Sequence, residues 1–529
     1  MESIDVNTTS GVVRGLSINV LNTCVHQFLG IPYAEPPVGA LRFAKPVPLK
    51  TPKQYVIDAT KLGNSCMQKA DPDTTKLLPN LTYSEDCLVL NIWTPNVQNN
   101  RHRKRRRLLK SHKSRDLKPV MFYIHGGGLQ TGSIFFMTAY NGSVLATHDV
   151  VIVSTNYRLG PFGYLYAGVE SAPGNVGFFD QLLALKWVRE NIHRFGGDKD
   201  KITIFGESAG SWSTSAHIVS PLTKGLFRRA IMQSGAHMYN KDRDVISKSE
   251  ALDLAKQTAR QLNCSDDDQW LQCLRGVGAD HLLQTETKLE TFPVLGTEYM
   301  PLSEQKAFLD HKFNSGIDLM AGITQNEGSF LSRAIDRRIE GMTVDRFQED
   351  VLKTDHMFHG LDVQRVTDFY LKGVNRTDPV AIRWAFYDFF GDLFMKCPTY
   401  LFAKRFKTIV KHRKNVYFYL LTYVNPLAAK LLNCDPATMG VCHTMDIPFV
   451  FGLPLTLPQL FTPEDQVFSR QVMKMWTDFA KYGKPDEVWP QLLDNNVVKV
   501  RDLNPVNISR VLDDPFHAIC DTFWKDYYL

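Results

Sequence analysis

Gly206-Glu207-Ser208-Ala209-Gly210 directly follows the apolar run Lys201–Phe205 and precedes a segment, Ser211–Val219, that can begin a helix. A serine between glycines on a tight strand-to-helix turn projects its hydroxyl from the sheet, and the helix amino terminus faces any negative charge that develops there. That arrangement suits nucleophilic catalysis, although five such residues also occur as a plain structural turn. Eighty-three residues upstream of Ser208, His125-Gly126-Gly127-Gly128 ends another apolar run. Glycines free the backbone to point several N–H groups at one spot, so Gly127, Gly128 and Ala209 are expected to form a three-donor oxyanion hole. A phosphate-binding loop would need Lys-Ser/Thr after the glycines, and Leu129-Gln130 supplies neither.

These residues need a sheet to hold them. Apolar, β-branched runs predict strands near 119–125, 150–155, 201–205, 229–233, 317–323 and 416–423. Helical patterns fit between them, the clearest from Asp180 to Phe195, after the Gly174–Gly177 turn. Strand and helix alternating in this way predict an α/β fold with a mostly parallel sheet. At ~150 residues per domain, 529 residues would allow three or four domains. No internal repeat or Pro/Ser-rich linker divides the chain, so one domain over 1–529 with long insertions is the economical reading. Hydrophobic residues at 44% and charged residues at 22% exclude disorder or coiled coil for most of the chain. No run of about 18 uncharged apolar residues occurs, so no membrane span is expected and the chain reads as soluble.

The net charge of +6 is local. Residues 101–118 carry ten Lys or Arg against one Asp, which leaves the rest of the chain at −3. This basic insert reads first as a solvated surface loop, without the spread of charge that nucleic acid would require. An anionic-surface contact, or cleavage at Arg103-Lys104-Arg105-Arg106, are the sharper alternatives. Nine cysteines occur without zinc spacing, so no metal and no cofactor are expected, and the odd count leaves at least one cysteine unpaired. Asn7, Asn80, Asn141, Asn263, Asn375 and Asn507 stand in Asn-x-Ser/Thr sequons and are glycosylation candidates. No signal peptide is visible at the amino terminus. Secretion after its removal is preferred to a cytosolic location, because disulfides need an oxidising compartment.

Long segments then carry a resemblance. Phe28–Phe43, Ser84–Pro95 and the stretch from Asn156 to Gly210 closely resemble the type-B carboxylesterase/cholinesterase family of α/β-hydrolases. The resemblance covers nearly the whole chain. It implies a central, mostly parallel twisted sheet flanked by helices, a small amino-terminal sheet and long insertions. It also implies a Ser-Glu-His order of catalytic residues. The segment TQNEGSF then places the acid at Glu327, and H-x-x-D-x-P-x-x-F places the base at His443. Glu207 matches an extra acidic residue of cholinesterases, and Ser234 would support the acid or simply end a strand. The same alignment implies disulfides Cys66–Cys87, Cys264–Cys273 and Cys397–Cys520. Cys24, Cys434 and Cys442 stay open, with local pairing of the last two an even choice.

The resemblance also shapes the substrate reading. The loop between Cys66 and Cys87 lacks the tryptophan whose π face binds quaternary ammonium in cholinesterases. Thr287 and Leu289 stand where acetylcholinesterases place bulky aromatics, which predicts room for larger acyl groups. Phe330 and Trp212 are further candidates for the pocket, with Trp212 read more readily as packing behind the serine turn. The implied function is a serine carboxylesterase acting on small-molecule esters and blocked by organophosphates and carbamates. The alternatives are a cholinesterase-like enzyme with an altered cation site, or a non-catalytic adhesion protein of the same fold. A juvenile-hormone-type esterase would usually carry Gln at the position of Glu207.

Overall fold

Strands that are apolar on every residue must be covered on both faces. The computed structural model describes residues 2–69, 81–95, 117–265, 268–285, 292–337 and 341–529. Among these, fourteen strands join one sheet: β1 (Glu2–Thr8), β2 (Gly11–Val20), β3 (Thr23–Pro32), β4 (Lys53–Asp58), β5 (Val89–Thr94), β6 (Lys118–Ile124), β7 (Val151–Thr155), β8 (Gly197–Glu207), β9 (Arg229–Gln233), β10 (Asp318–Thr324), β11 (Val416–Leu421), β12 (Leu493–Asp494), β13 (Val497–Leu503) and β14 (Val511–Asp513). Successive side chains point to opposite faces. Val120, Phe122 and Ile124 of β6 therefore enter one core, with Ile202 and Ile204 of β8. Met121 and Tyr123 enter the other, with Phe205 and Ile231.

Helices cover both faces. On the Val120 side lie α1 (Val176–Asn191), α2 (Ala209–Val219), α3 (Pro379–Gly391) and α4 (Cys397–Val410). On the other, α5 (Pro463–Tyr482) buries Phe468, Val472, Trp476 and Phe479. Helix α5 starts at a capping box, Thr462 with Asp465, and stops at Gly483 with φ 75°. Helix α1 begins earlier than its apolar periodicity suggests. Asn175 adopts a left-handed conformation and spends its side chain on Val294 and Thr297, so the expected turn already supplies the first helical residues.

The strand order is β1-β2-β3-β5-β7-β6-β8-β9-β10-β11-β13-β12, with β4 beside β2 and β14 beside β13. From β7 through β13 all neighbours run parallel. Among the amino-terminal strands β1, β2 and β3 pair antiparallel and β4 runs parallel to β2, and the group is continuous with this sheet because β3 pairs antiparallel with β5. The chain passes from β6 to β7 on one side, then returns to place β8 on the other side of β6. Ligands of open α/β sheets bind beyond the carboxyl ends of the strands at such a switch point. The glycine run leaves β6 there, and Ser208 leaves β8 there.

Four disulfides are present: Cys66–Cys87, Cys264–Cys273, Cys397–Cys520 and Cys434–Cys442, with Cys24 exposed as a free thiol. By loop-closure entropy, the separation of 123 residues at Cys397–Cys520 is worth about 5 kcal/mol, and the separation of 9 at Cys264–Cys273 about 3 kcal/mol. Cys520→Ala is therefore expected to lower the urea midpoint more than Cys273→Ala, and equal losses would refute the ordering.

Glu304 is fully buried, and neither carboxyl oxygen makes a hydrogen bond of good geometry. Burial pushes its carboxyl up to about 8, only partly offset by the nearby Ser215 hydroxyl and the His237 N–H. The folded chain thus keeps a proton that the unfolded chain loses near 4.5. Stability from this group falls as pH rises through that interval and levels off above it. Glu304→Gln has no proton to lose, so its gain in Tm over the wild type is expected to be larger at pH 8.5 than at pH 5. A pH-independent difference in thermal unfolding would contradict this.

Candidate active site

Ser208 lies between the end of β8 and the first residue of α2, with φ 58° and ψ −122°. Few non-glycine residues adopt this conformation, and it is held only where the surroundings over-determine it. The two motif glycines have visible causes. A Cβ on Gly206 would fall 2.4 Å from Gly210, and one on Gly210 would fall 1.9 Å from the Ile124 carbonyl at the end of β6. The Ser208 N–H donates to the Gln233 carbonyl at 2.9 Å, which ties the turn to β9.

The glycine run folds back beside this turn. A Cβ on Gly126 would sit 3.0 Å from Ser208 Cβ, and Gly127 and Gly128 take φ of 106° and 62°. The Gly127 carbonyl accepts from the N–H groups of Gln130 and Thr131 at 3.0 and 2.9 Å. His125 braces the loop: its Nδ1 lies 2.8 Å from the Gly126 carbonyl, and its ring stacks on Tyr157 at 4.5 Å. Burial lowers its pKa to about 4, so it stays neutral. Space opens next to Gly128, where an added Cβ would meet nothing within 4 Å.

Glu327 follows β10. Its Oε1 accepts from the Ser234 hydroxyl at 2.6 Å and the Thr324 N–H at 2.7 Å, and its Oε2 lies 2.6 Å from His443 Nδ1. Gly328 lets this segment press against α3, since a Cβ there would sit 1.9 Å from the Tyr387 carbonyl. The His443 segment is fastened to the Glu327 segment. The Asn326 N–H donates to the Val441 carbonyl, and the Val441 N–H donates to Asn326 Oδ1, both at 3.0 Å. The Cys434–Cys442 disulfide closes the residues just before His443.

Ser208, Glu207, Glu327 and His443 are 7%, 1%, 1% and 3% exposed. His443 Nε2 makes no hydrogen bond and lies 3.2 Å from Glu207 Oε1, on the residue next to the serine. Burial opposes a charge on His443, but Glu207, Glu327 and Asp446 outweigh it and raise its pKa. Burial also raises Glu207, against the pull of His443. The two groups therefore titrate as a coupled pair, each biased towards its protonated form. Asp446, whose role the sequence reading did not identify, is buried behind the histidine. Its Oδ2 accepts from Gln233 Nε2 at 2.8 Å and from the Tyr419 hydroxyl at 2.7 Å. The H-x-x-D spacing was its only sequence signal.

The remaining residues are placed as follows. Trp212 is 5% exposed and packs edge to face on Phe394 at 5.1 Å. Phe330 is 36% exposed, with the Arg333 guanidinium 5.8 Å above its ring. Thr287, Leu289, Asn80 and residues 101–116 of the basic insert lie outside the described residues. Asn7, Asn263, Asn375 and Asn507 are exposed and Asn141 is half-buried. Among the described residues no helix is long and apolar enough to cross a membrane.

A buried serine turn, a glycine run beside it and an imidazole held by a carboxylate describe a hydrolase site of the α/β class. Residues 2–511 match the carboxylesterase family. Similar proteins include the acetylcholinesterase of Bungarus fasciatus, 34% identical over 92% of this chain and 80% of its own length. The cholinesterase of Mus musculus is 35% identical over 92% and 81%. Acetylcholinesterase-1 of Trittame loki is 33% identical over 99% and 94%. The chain belongs to the carboxylesterase family, and it is a carboxylic ester hydrolase of the α/β-hydrolase fold.

Proposed function

We propose that the chain, as a single domain, hydrolyses uncharged carboxylic esters through an acyl-enzyme on Ser208. The observation that carries this reading is the 2.6 Å contact between His443 and Glu327 beside the Ser208 turn. Ser208 Oγ attacks the ester carbonyl while its proton passes to His443 Nε2. Glu327 holds Nδ1–H and stabilises the imidazolium. The N–H groups of Gly127, Gly128 and Ala209 receive the oxyanion. The carbon–oxygen bond to the alcohol breaks as Nε2 returns the proton. Water then repeats the sequence on the acyl group, releasing carboxylate and free serine. Organophosphates and carbamates follow the first half of this path and stop there. A diisopropyl phosphoryl label should therefore appear on the peptide containing Ser208, and labelling elsewhere would defeat the reading.

The names of the similar proteins favour a second reading, hydrolysis of choline esters. Against it stands the absence of tryptophan between Cys66 and Cys87. Rates on a nitrophenyl ester and on acetylthiocholine, measured side by side, decide between the two.

Glu207 is read as an electrostatic support for His443. Removing its charge lowers the imidazole pKa, and the base must be neutral to act. Glu207→Gln is thus expected to move the acid limb of kcat/KM to lower pH by roughly one unit. A shift upward, or none, would remove Glu207 from that role.

Secretion is proposed on the four disulfides, which persist in oxidising compartments. Residues 101–118 are proposed to contact anionic surfaces. The flanking ends of β5 and β6 both lie at the amino end of β7, opposite the end of the sheet that carries Ser208. Contact there would leave the serine free. The salt needed to elute the chain from a heparin column should fall when Arg103–Arg106 are neutralised.

A further inference from the structure

A positive charge stands beside the acid segment. Glu327 immediately precedes the helical turn Gly328–Leu331, which runs on through Ser332–Ala334. Gly328 and Ser329 are buried, so Phe330, 36% exposed, is the first side chain after Glu327 to reach solvent. At a rise of about 1.5 Å per residue it sits about 5 Å along the axis from the acid. Arg333 lies one turn further on, and long side chains on helices lean back towards the helix start. Its guanidinium accordingly rests 5.8 Å from the Phe330 ring centroid.

The base segment meets the same group. Arg333 Nη2 lies 3.4 Å from Met439 Sδ, and Met439 stands four residues before His443. The exposed guanidinium therefore touches both of the segments that bring acid and base together. Among the described residues no carboxylate pairs with it, since the neighbouring Asp336 is buried and taken up by Arg346. Exposed Arg337 adds to the positive charge. An ammonium group approaching the Phe330 face thus meets a like charge instead of a free π face, whereas a carboxylate meets an unpaired guanidinium fork. The leaving alcohol takes its proton from His443, so it departs on the side of the segment that Met439 and Arg333 flank.

We propose that Arg333 sets the charge preference of the site, favouring esters whose alcohol part carries a carboxylate over those whose alcohol part carries an ammonium group. This rests on the Ser208 reading and narrows its substrate class. The negative groups that face His443, namely Glu207, Glu327 and Asp446, are buried and belong to every variant compared below.

The test uses three thioesters on one frame: acetylthiocholine, its uncharged isostere 3,3-dimethylbutyl thioacetate, and S-acetyl-3-mercaptopropionate. Each releases a thiol read by the same reagent, and intrinsic reactivity cancels when one pair of esters is compared across variants. Charges about 10 Å apart near a protein surface change each rate roughly fourfold, in opposite directions for anion and cation, so Arg333→Met is expected to lower the anion-to-cation ratio of kcat/KM by about tenfold. Arg333→Lys, which keeps the charge, should stay near the wild type, and high salt should narrow the wild-type ratio. A ratio that Arg333→Met leaves unchanged overturns the proposal, and so does one that Arg333→Lys loses as fully as Arg333→Met. Hydrolysis of the uncharged thioester alone, with neither charged ester accepted by any variant, also overturns it but leaves the Ser208 reading standing. If none of the three is hydrolysed, the Ser208 reading itself fails and takes the proposal with it.

Discussion

Ser208→Ala is expected to lower kcat on a nitrophenyl ester by roughly 10⁶, the loss seen when serine hydrolases lose their nucleophile. Alanine keeps the Cβ, and its N–H still donates to the Gln233 carbonyl. The φ of 58° that serine tolerates here strains alanine about as much, so the turn should persist. The variant should therefore unfold near the wild-type temperature while losing turnover. Residual hydrolysis should fall to what the glycine run and the binding surface provide, roughly 10³–10⁴ over water. Retained activity would move the nucleophile elsewhere and undo the proposed mechanism.

Glu327→Gln is expected to cost roughly 10⁴ in kcat, with little loss of folding. The wild-type carboxylate accepts three hydrogen bonds: two at Oε1, from Ser234 and Thr324, and one at Oε2, from His443 Nδ1–H. An amide has one oxygen. If that oxygen keeps Ser234 and Thr324, the NH₂ group meets Nδ1 and forces the proton onto Nε2. The imidazole then holds the wrong tautomer and cannot take the serine proton. If the amide flips, the NH₂ group faces two donors and the segment is pushed out of place. Steady-state kinetics beside thermal unfolding separate the outcomes, and a loss below tenfold would show that Glu327 does not orient the base.

Much of this site was legible because local chemistry dictates it. The serine turn needs glycine at 206 and 210, and the structure shows the backbone each would strike. The central strands were legible because burial on both faces demands unbroken apolar runs. Glu327 and His443 were different. Fifteen histidines occur, and composition does not distinguish His443 from the rest. Only its match to the family's H-x-x-D-x-P-x-x-F segment identified it, because 116 residues separate it from the acid it meets. Asp446 and Asn326 were missed for the same reason, since their partners are distant in sequence: Gln233 on β9 and Tyr419 on β11 for Asp446, and Val441 for Asn326.

What the amino-acid sequence determined by itself is therefore the class of fold, the serine turn, the glycine run and the order of the chemistry along the chain. The tertiary structure alone decided which carboxylate meets which nitrogen. It placed Glu207 3.2 Å from His443 and buried the Glu304 carboxyl away from solvent. The physical reason is range. Turn geometry and strand periodicity are set by neighbours in the chain, whereas desolvation and charge coupling depend on groups that only packing brings within a few ångströms.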